Sequence, residues 1–490
     1  MLEMRKLRNE WVHMAYTENG ALTYRTTGSA CLDLFGTIGA MRNAKEEEIC
    51  VRFLEAYLEA PDLAMKILFF ARDVRGGMGE RRVFRVILRF LADLEPRAVE
   101  KNLALIPEYG RYDDLLCLMG TPCEKAVLQY IRRQLAADKK ALAQGGQVSL
   151  LAKWLPSANA SSRRTVALAR QVARGLGMSQ ARYRRTLSTL RAAADILENR
   201  LREKDYTFAY EKQPSRALFQ YQKAFERRDG KRYKAFIDGV LVGGARLNTK
   251  GLDPYEIIRP ILQKTRLLSW QQRQTIQANW QSQEDFTAGE NALVVVDSSG
   301  SMYESADALP AAVALSLGIY YAERNRGPFH NRFILFSQNP YLVELKGRDI
   351  WGKVKYCRRF SEVAQTDIQQ VFRLILGQAI KNQAAPEEMP ARLYIISDME
   401  FDRCVTGWDE TNFQYARRLF ESYGYRLPQI IFWNVNSRSR QQPVQKVEHG
   451  VALVSGCSPR IFSLIKQGEL DPVSCMYKTL DSERYRPVTA

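Results

Sequence analysis

The stretch Asn291–Tyr303, NALVVVDSSGSMY, constrains this chain most. Five small or branched apolar residues, Ala292 to Val296, end abruptly at Asp297, and two serines, a glycine, a serine and a methionine follow. Such a run reads as a buried strand that delivers a carboxylate at its C-terminal end. A tight loop then carries hydroxyls at alternate positions. Asp297, Ser299 and Ser301 make D-x-S-x-S, one carboxylate and two hydroxyls, a set that suits a hard divalent cation. Because few full charges are supplied, such a site stays electron-poor and can take an acidic group from a partner as a further ligand.

The residues after 291 keep the same rhythm. Short β-favouring runs at 292–296, Arg332–Phe336, Leu393–Ile396, Ile430–Val435 and Val451–Leu453 alternate with helical patterns at Leu309–Arg324, Asp367–Asn382, Asn412–Tyr423 and Pro459–Lys466. This alternation predicts a doubly wound, Rossmann-like α/β domain over residues 286–490, with a largely parallel sheet. Arg332–Leu345 reads as strand, turn and strand, which adds an antiparallel edge. Ligands of such sheets gather outside the carboxyl ends of the strands. Ser397 and Asp398 end one apolar run, and Thr366 and Asp367 precede a helix. Asp297, Ser299, Ser301, Thr366 and Asp398 then give five oxygen donors for a magnesium-like ion, directly or through water.

Residues 1–285 read differently. Helical periodicity recurs at Glu46–Ala60, Leu63–Arg72, Arg81–Leu94, Pro122–Ala143, Ser162–Gly175, Ser179–Leu190, Ala192–Lys204, Ser215–Arg227 and Lys231–Val242. Further helical patterns at Pro254–Leu268 and Trp270–Gln283 lead to the strand at 292. Helix pairs joined by short Pro/Gly turns predict a HEAT-like helical repeat without a strict period. The fold class expected is therefore multidomain, α followed by α/β. The glycine-rich ARDVRGGMGERR at 71–82 matches neither a Walker loop nor a dinucleotide fingerprint. It reads better as a turn whose arginines pair with Asp73 or Glu80 than as an anion cradle. EYGRYDDLL, at Glu108–Leu116, reads as a structural turn.

The formal charge is +18, from 72 Lys and Arg against 54 Asp and Glu. Its placement is informative, because residues 151–250 hold 22 basic and 8 acidic residues. A basic block of that kind is the footprint of a phosphate-backbone binder. The bland reading is a solvated helical surface rich in arginine for helix propensity, and charge alone leaves the two near even. The candidate RNA contacts are Arg163, Arg164, Arg170, Arg174, Arg182, Arg184, Arg185, Lys223, Arg227, Arg228, Lys231 and Arg232. Arginine supplies forked phosphate contacts. Tyr183, Tyr206, Tyr210, Tyr221 and Tyr233 interleave with them, and tyrosine can stack on unpaired bases. Taken singly, each tyrosine is better read as a half-buried helix residue.

Two resemblances sharpen this reading. D-x-S-G-S-M after an apolar strand, with a later Thr366 and a strand-ending Asp398, resembles the von Willebrand factor A domain and its metal-ion-dependent adhesion site. That resemblance implies that Asp297, Ser299, Ser301, Thr366 and Asp398 hold a divalent cation, Mg2+ first among them. The flanks of Thr366, AQTD, depart from the family's glycine-rich approach. The strings TENGALTYRTTGSACLDLF, RDVRGGMGER, GRYDDLL and KWLPS, in this order before such a domain, resemble an uncharacterised bacterial, phage and plant family. Its architecture is similar to that of the Ro proteins, in which a TROVE module of helical repeats forms a ring closed by an A domain. The resemblance implies binding of small noncoding or misfolded RNA.

No apolar run approaches the ~18 residues of a membrane span. The first twenty residues carry charge and no apolar core, so no signal peptide is expected. Eight scattered cysteines, with no C-x-x-C pair, and three histidines argue against disulfides or structural zinc. A cytoplasmic location follows as the expectation. The metal loops lack a nucleophile–base pair and offer few carboxylates, so binding is expected rather than catalysis. The leading expectation is thus a non-enzymatic RNA-binding protein whose metal loop closes the ring or docks an acidic protein. The alternatives are a metal-dependent protein scaffold and a metal-dependent nuclease or phosphatase.

Overall fold

A computed structural model describes residues 14–194, 196–249, 251–263, 268–287, 289–304, 309–336, 340–360, 367–402, 411–465, 468 and 470–490. The chain enters through a short antiparallel hairpin, β1 (Met14–Tyr16) and β2 (Leu22–Tyr24). The helical half follows: α1 (Ala30–Thr37), α2 (Glu46–Glu59), α3 (Pro61–Arg72), α4 (Arg82–Leu94), α5 (Glu124–Ala143), α6 (Arg163–Gly175) and α7 (Gln180–Ala193). Next come α8 (Leu197–Glu203), α9 (Ser215–Arg228), α10 (Gly230–Leu241), α11 (Pro254–Leu262) and α12 (Trp270–Gln281). Their starts carry the expected signals. Ser162 and Ser179 cap α6 and α7 through their hydroxyls, and Pro61 sits in the first turn of α3.

The second half alternates β3 (Ala292–Asp297), α13 (Leu309–Arg324), β4 (Arg332–Phe336), β5 (Tyr341–Glu344), α14 (Ile350–Cys357), α15 (Ile368–Lys381), β6 (Arg392–Ser397), α16 (Asn412–Ser422), β7 (Gln429–Asn434), β8 (Val451–Ser455) and α17 (Pro472–Leu480). The strands form one sheet in the order β5-β4-β3-β6-β7-β8, parallel throughout except for β5. Strand order therefore reverses beside β3, and the loops after β3 and β6 lie next to each other. β3 and β6 are buried along their whole length, which explains the apolar runs Ala292–Val296 and Leu393–Ile396 within them.

Alternate residues of the sheet feed two cores. Leu293, Val295, Leu393, Ile395 and Leu453 join the core built by α1 to α7, α15, α16 and α17. Ala292, Val294, Val296, Tyr394 and Trp433 face α11 to α14. A third, smaller cluster holds α8 to α10 together. The helical half and the sheet are thus parts of one packing scheme. At Gly39, beside α1, an added Cβ would come within 2.8 Å of the Gly456 backbone after β8, so no side chain fits there.

The fold differs from the sequence expectation in several places. The helix expected at Ala192–Lys204 is split. α7 runs on through Ala193, Ala194 is extended, and Asn199 Nδ2 donates to the Ala194 carbonyl at 2.9 Å. α11 ends at Leu262 rather than Leu268. The helix expected at Pro459–Lys466 shrinks to Ile461–Leu464, and α17 carries the C-terminal packing, capped by Asp471 with Pro472 in its first turn. The hairpin at 14–24, α1 and α14 have no counterpart in the sequence reading. Among the described residues, no helix is long and apolar enough to cross a membrane.

Candidate functional site

The β3–β6 switch point brings together four of the five expected cation ligands. The fifth, Thr366, lies outside the described residues. Asp297 is buried at the end of β3; its Oδ1 accepts the Ser299 amide at 2.8 Å and its Oδ2 accepts the Ser397 hydroxyl at 2.5 Å. Ser299 and Ser301 hydroxyls meet at 3.0 Å. Asp398 follows β6, is 2 % exposed, and its Oδ1 accepts the Glu400 amide at 3.3 Å. Its Oδ2 is buried with no hydrogen-bond partner. Met399, between the two acids, adopts φ +69°, a left-handed conformation costly for a side-chain-bearing residue.

Burial pushes the Asp297 carboxyl up, and Asp402 adds to the effect against the hydrogen bonds from Ser397 and Ser299. Burial also raises Asp398, to about 7, with Asp297 the next contribution; the Ser301 hydroxyl and Arg438 oppose it. Two buried carboxyls that disfavour each other's charge, an oxygen without a hydrogen bond among the described residues and adjacent hydroxyls suit a hard cation. Among the described residues, no group of three or more His, Cys, Asp or Glu is placed as a metal cluster. The donor set here instead mixes two carboxylates with hydroxyls. His330 lies away from it, with Nδ1 2.6 Å from the Asn325 carbonyl.

Two residues at this site escaped the sequence reading. Glu18 arrives from the β1–β2 turn, and Arg438 from the loop after β7; their side chains meet at 2.9 Å. Arg438 was detectable in principle as the first charge after an apolar strand. Glu18 carried no signal, since its position depends on docking across nearly 400 residues of sequence.

The basic block divides between two surfaces. α6 and α7 pack on α5 within the first core, whereas α9 and α10 belong to the third cluster. The sequences of α5, α6 and α7 contain thirteen Lys or Arg and two acids, Glu124 and Asp138. Both acids are engaged, Glu124 by Gln171 and Asp138 by Gln134 and Ser149. Arg163, Arg164, Arg170, Arg174, Arg182, Arg184 and Arg185 are exposed, and none of their side chains has a hydrogen-bond or ion-pair partner among the described residues. An open groove of about 640 Å³ runs between α5 and α7, lined by Lys139, Ser179, Arg182, Arg185, Thr186 and Thr189.

On the second surface, Lys223, Arg227, Arg228, Lys231 and Arg232 are also exposed. Arg232 is committed there, bridging Asp229 at 3.0 Å and the Phe208 carbonyl at 3.0 Å. Arg227 Nε donates to its own helix at the Lys223 carbonyl. The tyrosines are structural. Tyr183, Tyr210 and Tyr233 are buried, and Tyr206 and Tyr221 are half-buried.

The glycine-rich string at 71–82 is a clamp. A Cβ on Gly77 would lie 2.0 Å from the Phe70 carbonyl oxygen, and Gly79 has φ +70°. Its acids pair with distant arginines rather than with local ones. Asp73 binds Arg484, Glu80 binds Arg42 at 2.7 Å, and Arg460 donates to the Val74 carbonyl at 2.9 Å. Arg72 reaches Asp114 of GRYDDLL, and Arg111 of the same string stacks 4.1 Å from the ring of Trp154 in KWLPS.

Comparison with known proteins places these strings. The family model described as Domain of unknown function (DUF2828) matches residues 17–121 and 124–288, more than half of the chain. The chain belongs to the DUF2828 family. Domain of unknown function DUF7788 matches residues 291–482, the sheet-bearing part of this DUF2828 protein. Uncharacterized protein L728 of Acanthamoeba polyphaga mimivirus is 29% identical to the DUF2828 chain over 518 residues, covering 97% of this chain and 89% of that protein. The crystal structure of the Deinococcus radiodurans Ro (RSR) protein aligns with TM-score 0.35 and 11% identity, covering 93% of this chain and 100% of that one. That likeness is too distant to carry an argument about fold or function.

Proposed function

We propose that this DUF2828 protein binds RNA through the surface of α5, α6 and α7, and that the β3–β6 loops hold a divalent cation. The observation that supports RNA binding is the set of seven exposed arginines without a partner. Elsewhere in the chain, arginines such as Arg42, Arg72, Arg85, Arg392 and Arg484 are matched to acids. Arginines left unmatched on an acid-free pair of helices favour a polyanion. Small noncoding or misfolded RNA is the class to try first, because the family that the signature strings resemble is similar in architecture to the Ro proteins.

The test is direct. RNA that co-purifies with the protein is sequenced, and its affinity is measured for the variant Arg163→Glu, Arg164→Glu, Arg184→Glu and Arg185→Glu combined. Binding is expected to fall by at least about 100-fold, as removal of several phosphate contacts implies. Unchanged affinity in a folded variant overturns the proposal.

Asp297, Ser299, Ser301 and Asp398, with Thr366 by resemblance, would hold the cation, Mg2+ being the first choice for an all-oxygen set. A bound cation supplies positive charge to carboxylates that otherwise repel. The reading is of binding and not catalysis, because hydroxyls outnumber carboxylates among the expected ligands and, among the described residues, no histidine stands beside them. Magnesium-dependent RNA turnover lost in Asp297→Ala would replace this reading with a nuclease. An acidic partner protein remains the alternative user of the site, recognised by pull-downs that are chelator-sensitive and nuclease-insensitive.

A further inference from the structure

The mouth of the β3–β6 loops is crossed by one guanidinium. Arg438 Nη2 lies 2.9 Å from Glu18 Oε2 and 3.3 Å from Glu304 Oε2, while its Nη1 is 3.9 Å from Asp398 Oδ2. The last distance is too long for a hydrogen bond. The buried Oδ2 of Asp398 is therefore faced by a positive charge that does not bond to it. Glu18 is held in place by its neighbours. Its amide donates to Glu400 Oε2 at 2.9 Å, Asn19 Nδ2 donates to the Glu400 carbonyl at 2.7 Å, and the Thr17 hydroxyl donates to the Phe401 carbonyl at 2.6 Å. The β1–β2 turn is thus docked on the loop that carries Asp398, with one carboxylate pointing to the same guanidinium. The Arg438 side chain is 27% exposed, so it has a way out to solvent.

A guanidinium spreads one charge over a broad plane, whereas a hard divalent cation concentrates two charges on oxygen donors. Three carboxylates around one arginine are under-neutralised by it. We propose that Arg438 is the built-in counter-charge of this site, that it swings to solvent when a divalent cation binds, and that Glu18 then passes from the guanidinium to the cation as a carboxylate donor. This rests on the reading of the β3–β6 loops as a cation site. It adds a ligand from the far N-terminal part of the described chain and makes cation binding and docking of the 14–24 hairpin reciprocal.

The test titrates full-length protein with Mn2+, followed by electron paramagnetic resonance and calorimetry, for wild type, Arg438→Gln and the double variant Arg438→Gln with Glu18→Gln. Arg438→Gln is expected to bind Mn2+ about ten-fold more tightly, the usual scale of such a coupling. The double variant should lose most of that gain. In the unmutated protein, Mn2+ should increase hydrogen-exchange protection of residues 14–24. Equal or weaker binding by Arg438→Gln, with clear binding by wild type, overturns the counter-charge and leaves the cation site standing. A double variant equal to Arg438→Gln, or no change in protection of the hairpin, removes Glu18 as a ligand. No Mn2+ binding by any of the three proteins sinks the cation site and this inference together.

Discussion

Arg72 and Asp114 form an ion pair at 2.8 Å in which both side chains are almost fully buried. Arg85 joins Asp114 at 2.6 Å, and the Arg111 amide donates to the same carboxylate at 2.9 Å. Gly110 is required beside them, since a Cβ there would lie 2.4 Å from Asp114 Oδ2 and 2.7 Å from Arg72 Nε. The pair ties the end of α3 to the GRYDDLL turn. Removing one partner leaves the other charge buried without compensation. Asp114→Ala should therefore destabilise the protein by roughly 3–5 kcal/mol. Gly110→Ala should cost about 1–3 kcal/mol through the forced contact. Urea unfolding checks both, as a lowered midpoint with little change in slope. A midpoint within error of wild type for Asp114→Ala would remove the pair's structural role.

Acid sensitivity is expected to centre on Asp73. Burial pushes its carboxyl up, but hydrogen bonds from Arg484 and from the amides of Arg75 and Gly76, with the Arg484 charge, hold it below the ordinary aspartate value. The Tyr485 hydroxyl also donates to it at 3.0 Å. A carboxyl with a depressed folded-state pKa binds protons more readily when unfolded. Its stabilisation is therefore full above the unfolded value, 3.8, and is lost as pH falls from there through the folded value. Asp73→Asn should flatten the fall of stability below that pH by up to one proton, about 1.4 kcal/mol per pH unit. Thermal unfolding of both proteins between neutral pH and the acid limb measures it. Identical acid limbs would mean that other carboxyls govern the response.

Tyrosine and arginine should separate in their effects. The Tyr183 hydroxyl donates to the Pro156 carbonyl at 3.0 Å inside the core. Tyr183→Phe should lower stability by about 1 kcal/mol, the net worth of one hydrogen bond with its acceptor left buried. RNA affinity should stay unchanged, because the ring never reaches the surface. A variant of normal stability with weakened RNA binding would place Tyr183 in the interface instead.

What the sequence made legible follows the range of the interactions. The parallel part of the sheet was readable because each of its strands holds a short run of buried apolar residues, and the cation loop because Asp297 and Asp398 both follow such runs. The pairing of β5 on the edge was readable from the strand–turn–strand pattern at 332–345. The Glu18–Arg438 contact was not, because it arises only when the hairpin docks on the loop after β6. The division of the basic block was hidden for a related reason. A window count of charge cannot see that Ala169 and Leu187 bury into one core while Leu218 and Ile237 bury into another. Nor can it distinguish Arg191, whose guanidinium bonds to the Ala152 and Leu155 carbonyls and to Ser157, from Arg185, whose side chain has no partner among the described residues.

The groove between α5 and α7 makes the last prediction quantitative. Lys139, Arg182 and Arg185 line it together and have no partner among the described residues. If all three contact phosphates of single-stranded RNA, each releases condensed counterions on binding. The slope of log affinity against log salt is then set by the number of contacts, about 0.7 per phosphate. Changing the three residues to glutamine should reduce the slope by about 2 and weaken binding without a sequence preference. Lys223→Gln, Arg228→Gln and Lys231→Gln on the other surface should leave the slope unchanged, because those residues stand on a separate core. Filter binding across a salt series distinguishes the two sets. An unaltered slope for the groove variant excludes the groove from the RNA path. An equal loss for the second set would extend the contact surface across both clusters, and the single-surface arrangement would then be wrong.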